Sequence, residues 1–322
     1  MIGIGIDVGG TFVKFFALNE QGKEIKYHKL ETDMSKGPAF FIKQIADFIN
    51  VWKKEFKEEI CIGLGLPGDV DNKKGVLRFG TNLKFKNKNI KKIEFGAGIK
   101  KLTGIEPVTA NDATIAAWGI YELILKKKYA NVLVITMGTG IGGGVIVNGN
   151  LYQGSHGSAG EIGHIKISLD PKAPLCGCGA RGCLEAYAGT IAIHRLVNEE
   201  VKKHPSSLLA KMAAKDKKFK IALVSEAAAK GCNSAKRVWE KVGLSIGAGI
   251  ANAGLILDFD VVVLAGGVSG AAKYFMPALK KRLSLEKIIT PFKNLKIYTS
   301  QLPEIGGIGA ALYAINRNKN AN

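Results

Sequence analysis

Isoleucine alternates with glycine at the start of the chain, Ile2, Ile4 and Ile6 against Gly3 and Gly5, and the run stops at Asp7. Period two predicts a β-strand. Val8-Gly9-Gly10-Thr11 breaks the pattern and Phe12 to Leu18 resumes it, which predicts a hairpin closed by a glycine turn. Asn19 to Lys23 reads as a turn and Glu24 to Leu30 as a third strand. From Pro38 to Glu58, Phe41, Ile45, Phe48, Ile49 and Trp52 recur at helical spacing. Ile60 to Leu66 is wholly apolar, a strand of the buried type that Pro67-Gly68 ends. Gly75 to Lys92 reads as a basic loop, with a small helix from Gly96 to Thr103 and a strand around Val108 after it. Asn111-Asp112 then introduces a helix through Ala113, Ala116, Ala117, Ile120 and Leu123, either residue being suited to its N-cap.

Val132 to Thr136 is the next buried strand, followed by Met137-Gly138-Thr139-Gly140-Ile141-Gly142-Gly143-Gly144. Gly138 to Gly143 formally matches a dinucleotide fingerprint, but Val145-Ile146-Val147 and the turn Asn148-Gly149 follow, a strand where the fingerprint must open a helix. Further on the chain reads mainly as helices: 191–204, 208–214, 224–230, 235–257 and 273–283. A strand at Val261 to Leu264 runs into Ala265-Gly266-Gly267, and a strand at Leu295 to Thr299 precedes a last helix, Gly307 to Asn316, with a frayed tail. Each half thus opens on a glycine-turn hairpin, which suggests two related α/β domains with a cleft between them.

Composition narrows the class. A chain of 322 residues with 47% hydrophobic content can bury two cores. No apolar run reaches the roughly 20 residues that span a bilayer. The N-terminus enters a strand directly, without a signal-peptide pattern, so a cytoplasmic protein with reduced thiols is expected. The net charge of +19 is mostly scattered lysine without interleaved aromatics or a reading helix. That favours a solvated surface with mild steering of an anionic substrate over nucleic-acid binding.

The densest chemistry lies between Gly154 and Glu185. Cys176, Cys178 and Cys183 form a C-x-C-x4-C cluster punctuated by Gly177, Gly179 and Gly182, and His164 offers a fourth ligand. A Cys3His structural zinc site is the natural reading; buried structural cysteines, or one disulfide with a spare thiol, are the alternatives. A closed four-ligand site leaves no position for water, so such a zinc builds a pocket rather than performing chemistry. Glu161 and Glu185 would be drawn toward the same small volume, where carboxylates suit a polyhydroxylated ligand; otherwise they are solvated loop charges. The turns at Asp7 to Thr11 and Gly138 to Gly142 each offer converging backbone N–H groups to a phosphate, and Asp7 and Thr11 add groups suited to hydrated Mg2+. With the pair Gly266-Gly267 they suggest a nucleotide clamp.

Taken together, DVGGTFVK (7–14), GLPGDVD (65–71), NDATIAAWG (111–119), TMGTGIGGG (136–144), GSAGEIGH (157–164) and CGCGARGCLEAYAG (176–189) resemble, in order, the motifs of the ROK sugar kinases. The resemblance spans essentially the whole chain. It implies an α/β, actin/hexokinase-like (ribonuclease H-like) fold of two domains, 1–111 joined by a C-terminal helix at 304–322, and 112–303 carrying the zinc loop. It implies transfer of the ATP γ-phosphoryl group to a hexose, most simply the 6-hydroxyl of glucose, with Asp112 as general base. Asn82, Asn111, Asp112, Glu161, His164 and Glu185 would hold the sugar, with His164, Cys176, Cys178 and Cys183 on structural Zn2+. Asp7, Gly9, Gly10, Thr11 and Lys14 would meet Mg2+ and the phosphates, Thr139 and Gly140 would meet them from the other side, and Gly266 and Gly267 would line the adenosine site. Fructose, mannose, N-acetylglucosamine and N-acetylmannosamine are rival substrates, polyphosphate is a rival donor, and a sugar-sensing regulator is a rival class. Lys84 stands in the loop 81–85 where family glucokinases carry a small residue or proline, and Asp69 replaces the proline of the usual Gly-Pro. Met1 lies immediately before the first strand, without the helix-turn-helix of family repressors, which favours an enzyme. The expected partners are hexose and ATP, with a homodimer or higher homo-oligomer and neither nucleic acid nor membrane.

Overall fold

The computed structural model describes residues 1–85, 88–215 and 219–320. The chain folds as two compact units, 1–130 with 144–160 and 303–322, and 131–143 with 161–302. The first unit begins with β1 (Ile2–Val8), β2 (Phe12–Asn19), β3 (Glu24–Glu31), α1 (Pro38–Glu55) and β4 (Ile60–Leu66). It continues with β5 (Asp69–Asp71), β6 (Val76–Phe85), β7 (Lys88–Glu94), α2 (Phe95–Thr103), β8 (Val108–Asn111) and α3 (Asp112–Leu123). Next come β9 (Val132–Met137), β10 (Ile141–Val147), within which the unit border falls, and β11 (Asn150–Tyr152). The second unit carries α4 (Glu185–Ala188), α5 (Thr190–Lys203), α6 (Leu208–Lys215), α7 (Ala222–Ala229) and α8 (Asn233–Leu257). It ends with β12 (Val261–Ala265), α9 (Ala272–Leu283), α10 (Thr290–Lys293) and β13 (Lys296–Ser300), and α11 (Ile305–Lys319) returns the chain to the first unit.

The first sheet has the order β3-β2-β1-β4-β8. β1 is antiparallel to β2 and parallel to β4, which is parallel to β8. The alternation that opens the sequence explains its two faces. Ile2, Ile4 and Ile6 point into a core with Phe41, Ile45, Ile49 and Trp52 of α1 and Phe95 and Ile99 of α2. On the other face α11 lies directly on glycine. A Cβ at Gly5 would stand 1.9 Å from Gly307 O, one at Gly63 1.9 Å from Ala310 O, and one at Gly3 2.7 Å from Ala311 O. Such distances are closed to any side chain, so glycine here is a packing requirement. The second sheet has the order β11-β10-β9-β12-β13, with β9, β12 and β13 mutually parallel. The small residues of α8 serve helix packing: Gly243 and Gly247 admit α9, and Gly254 admits Phe292.

Three expectations need correction. The basic stretch 75–92 is not a loop but β6 and β7, joined with β5 in a three-stranded antiparallel sheet. Buried Leu77, Leu83 and Ile93 alternate there with polar positions, and the lysine content hid the period. The border expected at 111/112 is also displaced. α3 belongs to the first unit because it packs on α11, where Gly119 meets Gly309. Finally, α11 extends to Lys319, so 316–319 is helix rather than frayed tail. Among the described residues no helix is long and apolar enough to cross a membrane.

The glycine floor is testable by urea denaturation. Gly63→Ala is expected to lower the unfolding free energy by about 2–3 kcal/mol, because the obstruction is backbone that cannot swing aside. Gly65→Ala on the same strand meets its neighbours only at ordinary van der Waals range, 3.6 Å at nearest, and should cost under about 1 kcal/mol.

Candidate functional site

In the second unit, the chain between the 3-10 turn Ile162–His164 and α4 folds into a knuckle. Cys176 N–H donates to Ala180 O (2.8 Å) and Gly179 N–H to Cys176 O (3.0 Å), with Gly179 at φ +88°. At Gly182 (φ +77°) a Cβ would lie 2.0 Å from Ser168 O. These turns bring one ligand atom each from His164, Cys176, Cys178 and Cys183 within 4.8 Å of one another. All five cysteines are free, which sets the disulfide alternative aside. The Cys178 and Cys183 sulfurs are 3.8 Å apart, and Cys176 Sγ is 3.7 Å from His164 Nδ1. A tetrahedron with Zn–S near 2.3 Å and Zn–N near 2.0 Å has edges of about 3.8 and 3.5 Å, so these two separations match zinc. Burial pushes the Cys176 thiol well above its ordinary range, so a bound cation is what would keep it a thiolate. His164 uses Nδ1 toward the sulfurs, and its Nε2 lies 3.9 Å from Glu161 Oε2.

The start of β10 gathers both carboxylates toward this knuckle. Ile141 N–H donates to Glu185 Oε2 (3.0 Å), and Glu185 Oε1 lies 3.3 Å from Cys176 Sγ. Gly163, beside His164, sits against Ile141 O so tightly that a Cβ would be 1.9 Å away. Glu185 is therefore no solvated loop charge; it links the glycine turn to the cysteines. That turn is also held by Thr190, whose N–H (3.1 Å) and Oγ1 (2.6 Å) both donate to Gly138 O. Gly140 must lack a side chain, since a Cβ would meet Glu185 Oε2 at 2.1 Å.

The register places Thr136, Ala265 and Ser300 in one row, so Thr139, Gly266-Gly267 and Gln301 emerge at the same carboxyl edge of parallel strands. This is where open α/β sheets bind ligands. Gly266 turns with φ +90°, its would-be Cβ 2.6 Å from Met137 O. Beyond it lies a cavity of about 450 Å³ lined by Thr139 and Gly267 together with Thr190, Ile221, Ser225 and Gln301. The last four were not foreseen. Ile221 and Ser225 stand one helical turn apart at the start of α7, whereas Thr190 at the start of α5 and Gln301 after β13 share no spacing with them.

The first unit holds the other group. Asp7 pairs in register with Gly65, and Gly65 with Ala110, which brings Asp7 and Asn111-Asp112 to one strand edge. The Gly9-Gly10-Thr11 turn is fastened by Gly9 N–H to Phe12 O (2.9 Å) and by Thr32, which bonds Thr11 O and Gly9 O. Lys14, opposite Asp7, makes an ion pair with Glu304 (2.6 Å) at the start of α11. Burial raises the Asp7 carboxyl above its ordinary range, partly offset by Lys14 and reinforced by Glu304. Asn111 is the N-cap of α3: its Oδ1 accepts from Ala113 N–H (2.9 Å) and Thr114 N–H (3.2 Å), and its Nδ2 donates to Gly68 O (3.0 Å). Asp112 follows in the first turn, Oδ1 accepting from Ala113 N–H at 2.8 Å. Asn82 lies on β6, and its side chain falls outside the described residues.

The ROK family model matches residues 3–316. The chain belongs to the ROK family. It is 31% identical over 310 residues to a glucokinase of Thermotoga maritima, covering 96% of this chain and 95% of that one. Among solved structures it is similar to a ROK family glucokinase from Streptomyces griseus in complex with glucose and AMPPNP, with TM-score 0.76 and 27% identity over 98% of this chain and all of the other. A ROK hexokinase from Thermus thermophilus gives TM-score 0.81 and 26% identity over 99% and 100% of the two chains. The actin/hexokinase-like α/β fold expected from the ROK motifs is thereby established.

Two outcomes follow from this geometry. Metal analysis of the purified ROK protein should find about one zinc per chain, and Cys178→Ser should lose it. Asp7→Asn should raise the Tm of the nucleotide-free protein at pH 7. Because the folded pKa of Asp7 lies above its ordinary value of 3.8, the cost of ionising it is absent below that value and complete above the folded one. The difference in Tm between variant and wild type should accordingly shrink as pH falls toward 4.

Proposed function

We propose that this ROK protein is an ATP-dependent hexokinase that phosphorylates the 6-hydroxyl of glucose. The observation that carries the reading is the likeness to the T. maritima glucokinase, which runs through nearly the whole of both chains. In this reading Asp112 takes the proton from the attacking hydroxyl. Asn111 caps α3, and Asp112 follows in its first turn. Asn82, Asn111, Glu161, His164 and Glu185 orient the sugar through its hydroxyls, and the knuckle zinc fixes the last two residues in position. Gly9, Gly10 and Thr11 offer N–H groups to the phosphates, and Thr139 and Gly140 do the same from the second unit. Lys14 adds positive charge beside them. The adenosine moiety would occupy the cavity that Gly267 lines, next to Gly266. Mg2+, when bound beside Asp7, supplies charge neutralisation on the transferring phosphoryl group. Phosphoryl transfer asks little covalent chemistry of the protein, so a positioned carboxylate and an array of donors suffice.

The free thiols of the knuckle support a reducing, cytoplasmic setting. Exposed Ile256, Leu285, Ile288 and Ile289 support a homodimer or higher homo-oligomer.

A coupled assay for ADP across glucose, mannose, fructose and the N-acetylhexosamines should give the highest kcat/KM with glucose, and ATP should outperform polyphosphate as donor. In that assay Asp112→Asn should lower kcat by about 10²–10⁴-fold while glucose binding, read by tryptophan fluorescence, stays near wild type. Near-normal turnover would remove Asp112 as the base, and no turnover with any hexose would sink the kinase reading.

A further inference from the structure

We propose that Lys166 is a built-in counter-charge of the Cys3His centre, holding the metal through a ligand sulfur without touching the metal itself. The inference concerns metal retention and stands apart from the catalytic reading. Lys166 Nζ lies 2.8 Å from Cys183 Sγ. The backbone fixes the approach: Lys166 and Cys183 form an antiparallel bridge, flanked by Ile167 N–H to Gly182 O (2.9 Å) and Leu184 N–H to Ile165 O (3.0 Å). Asn252 on α8 donates to Lys166 O at 3.4 Å. Cys183 is fully buried, so the ammonium reaches the sulfur from solvent along a stem that starts beside it.

The charge balance gives the contact its purpose. A divalent cation with three thiolates and a neutral imidazole carries net charge −1. Glu185 Oε1 near Cys176 Sγ and Glu161 Oε2 near His164 Nε2 add two carboxylates at the edge of the same centre. Arg181, on the same loop, is committed to Ala173 O (2.8 Å). Lys166 is thus a cation that meets a ligand atom directly. An N–H donor on a bound thiolate disperses its charge and eases its repulsion from the other two sulfurs. Partners of this kind typically contribute 10–100-fold to metal affinity, and a residue whose ammonium stands in solvent belongs at the lower end.

The test uses the full-length zinc-loaded protein. Zinc affinity is measured by competition with a chromophoric chelator for wild type, Lys166→Met and Lys166→Arg. Lys166→Met should bind about tenfold more weakly, and Lys166→Arg should stay within about threefold of wild type. Circular dichroism in excess zinc checks that both variants fold. In cobalt-substituted protein the thiolate-to-cobalt charge-transfer band should move to lower energy in Lys166→Met and return in Lys166→Arg, a change that loss of packing alone would not produce. Equal zinc affinity in Lys166→Met, an unshifted band, or a wild-type protein that binds no zinc would each overturn the proposal. The last result alongside normal hexose phosphorylation would do so while leaving the kinase reading intact.

Discussion

Close approach of backbone to backbone is the constraint on which the first unit depends. α11 can lie on β1 and β4 only because Gly3, Gly5 and Gly63 present no side chain to it, and because Gly307, Ala310 and Ala311 answer from the helix. That docking sets more than packing. It puts Gly306 against the Asp7 carboxylate and Glu304 against Lys14, so the last element of the chain completes the surroundings of the first turn. Glu304 itself sits at φ +58°, a strained position for a residue with a side chain, tolerated where the ion pair and the helix start both need it. The chain holds 40 glycines, above the usual share of about 7%, and close approaches of this kind account for much of the excess.

How far the sequence could be read follows from how local each signal was. Alternating Ile and Gly revealed β1, and the spacing of three cysteines and a histidine revealed the knuckle; each pattern states its own geometry. The cap of α3 was left open between Asn111 and Asp112, because both residue types can cap and only the hydrogen bonds decide. The strands β6 and β7 escape a sequence reading because lysine, frequent between Val76 and Glu94, is a poor strand former, so the segment reads as a solvated loop. The Lys14–Glu304 pair spans 290 positions, and nothing in the local sequence of either residue announces the other. The lining of the cavity beyond Gly266 was invisible for the same reason: topology assembles it from the starts of α5 and α7 and the chain after β13, which lie far apart in sequence.

The surplus of positive charge bears on encounter more than on stability. Most described ion pairs are exposed, such as Lys43–Asp47 and Lys100–Glu106, and contribute at most about 1 kcal/mol each. Glu200 is the exception. Its side chain is 3% exposed and is met by Arg237 (2.9 Å) and Lys241 (3.5 Å), which makes α5 and α8 depend on those partners. With 46 basic and 27 acidic residues, many lysines must remain without a carboxylate partner, and their summed field favours the approach of a polyanion from any direction.

The knuckle gathers four candidate metal donors where little apolar packing is available. Its own small cluster is Cys176, Cys183 and Ala186, with Ala180 and Tyr187 alongside, while Ile162, Ala173 and Leu184 are buried nearby, which is thin apolar packing for the chain entropy of a loop of this length. Cys176 and Cys183 of that cluster are themselves candidate ligands. A cation held by these four donors would do the work that side chains do elsewhere, at the point where Glu185 reaches back to Ile141 and Gly163 seats His164 against the same strand. The orientation of Glu185 and the geometry of the cysteines are consequently one problem. Whatever loosens a sulfur loosens the carboxylate 3.3 Å from it.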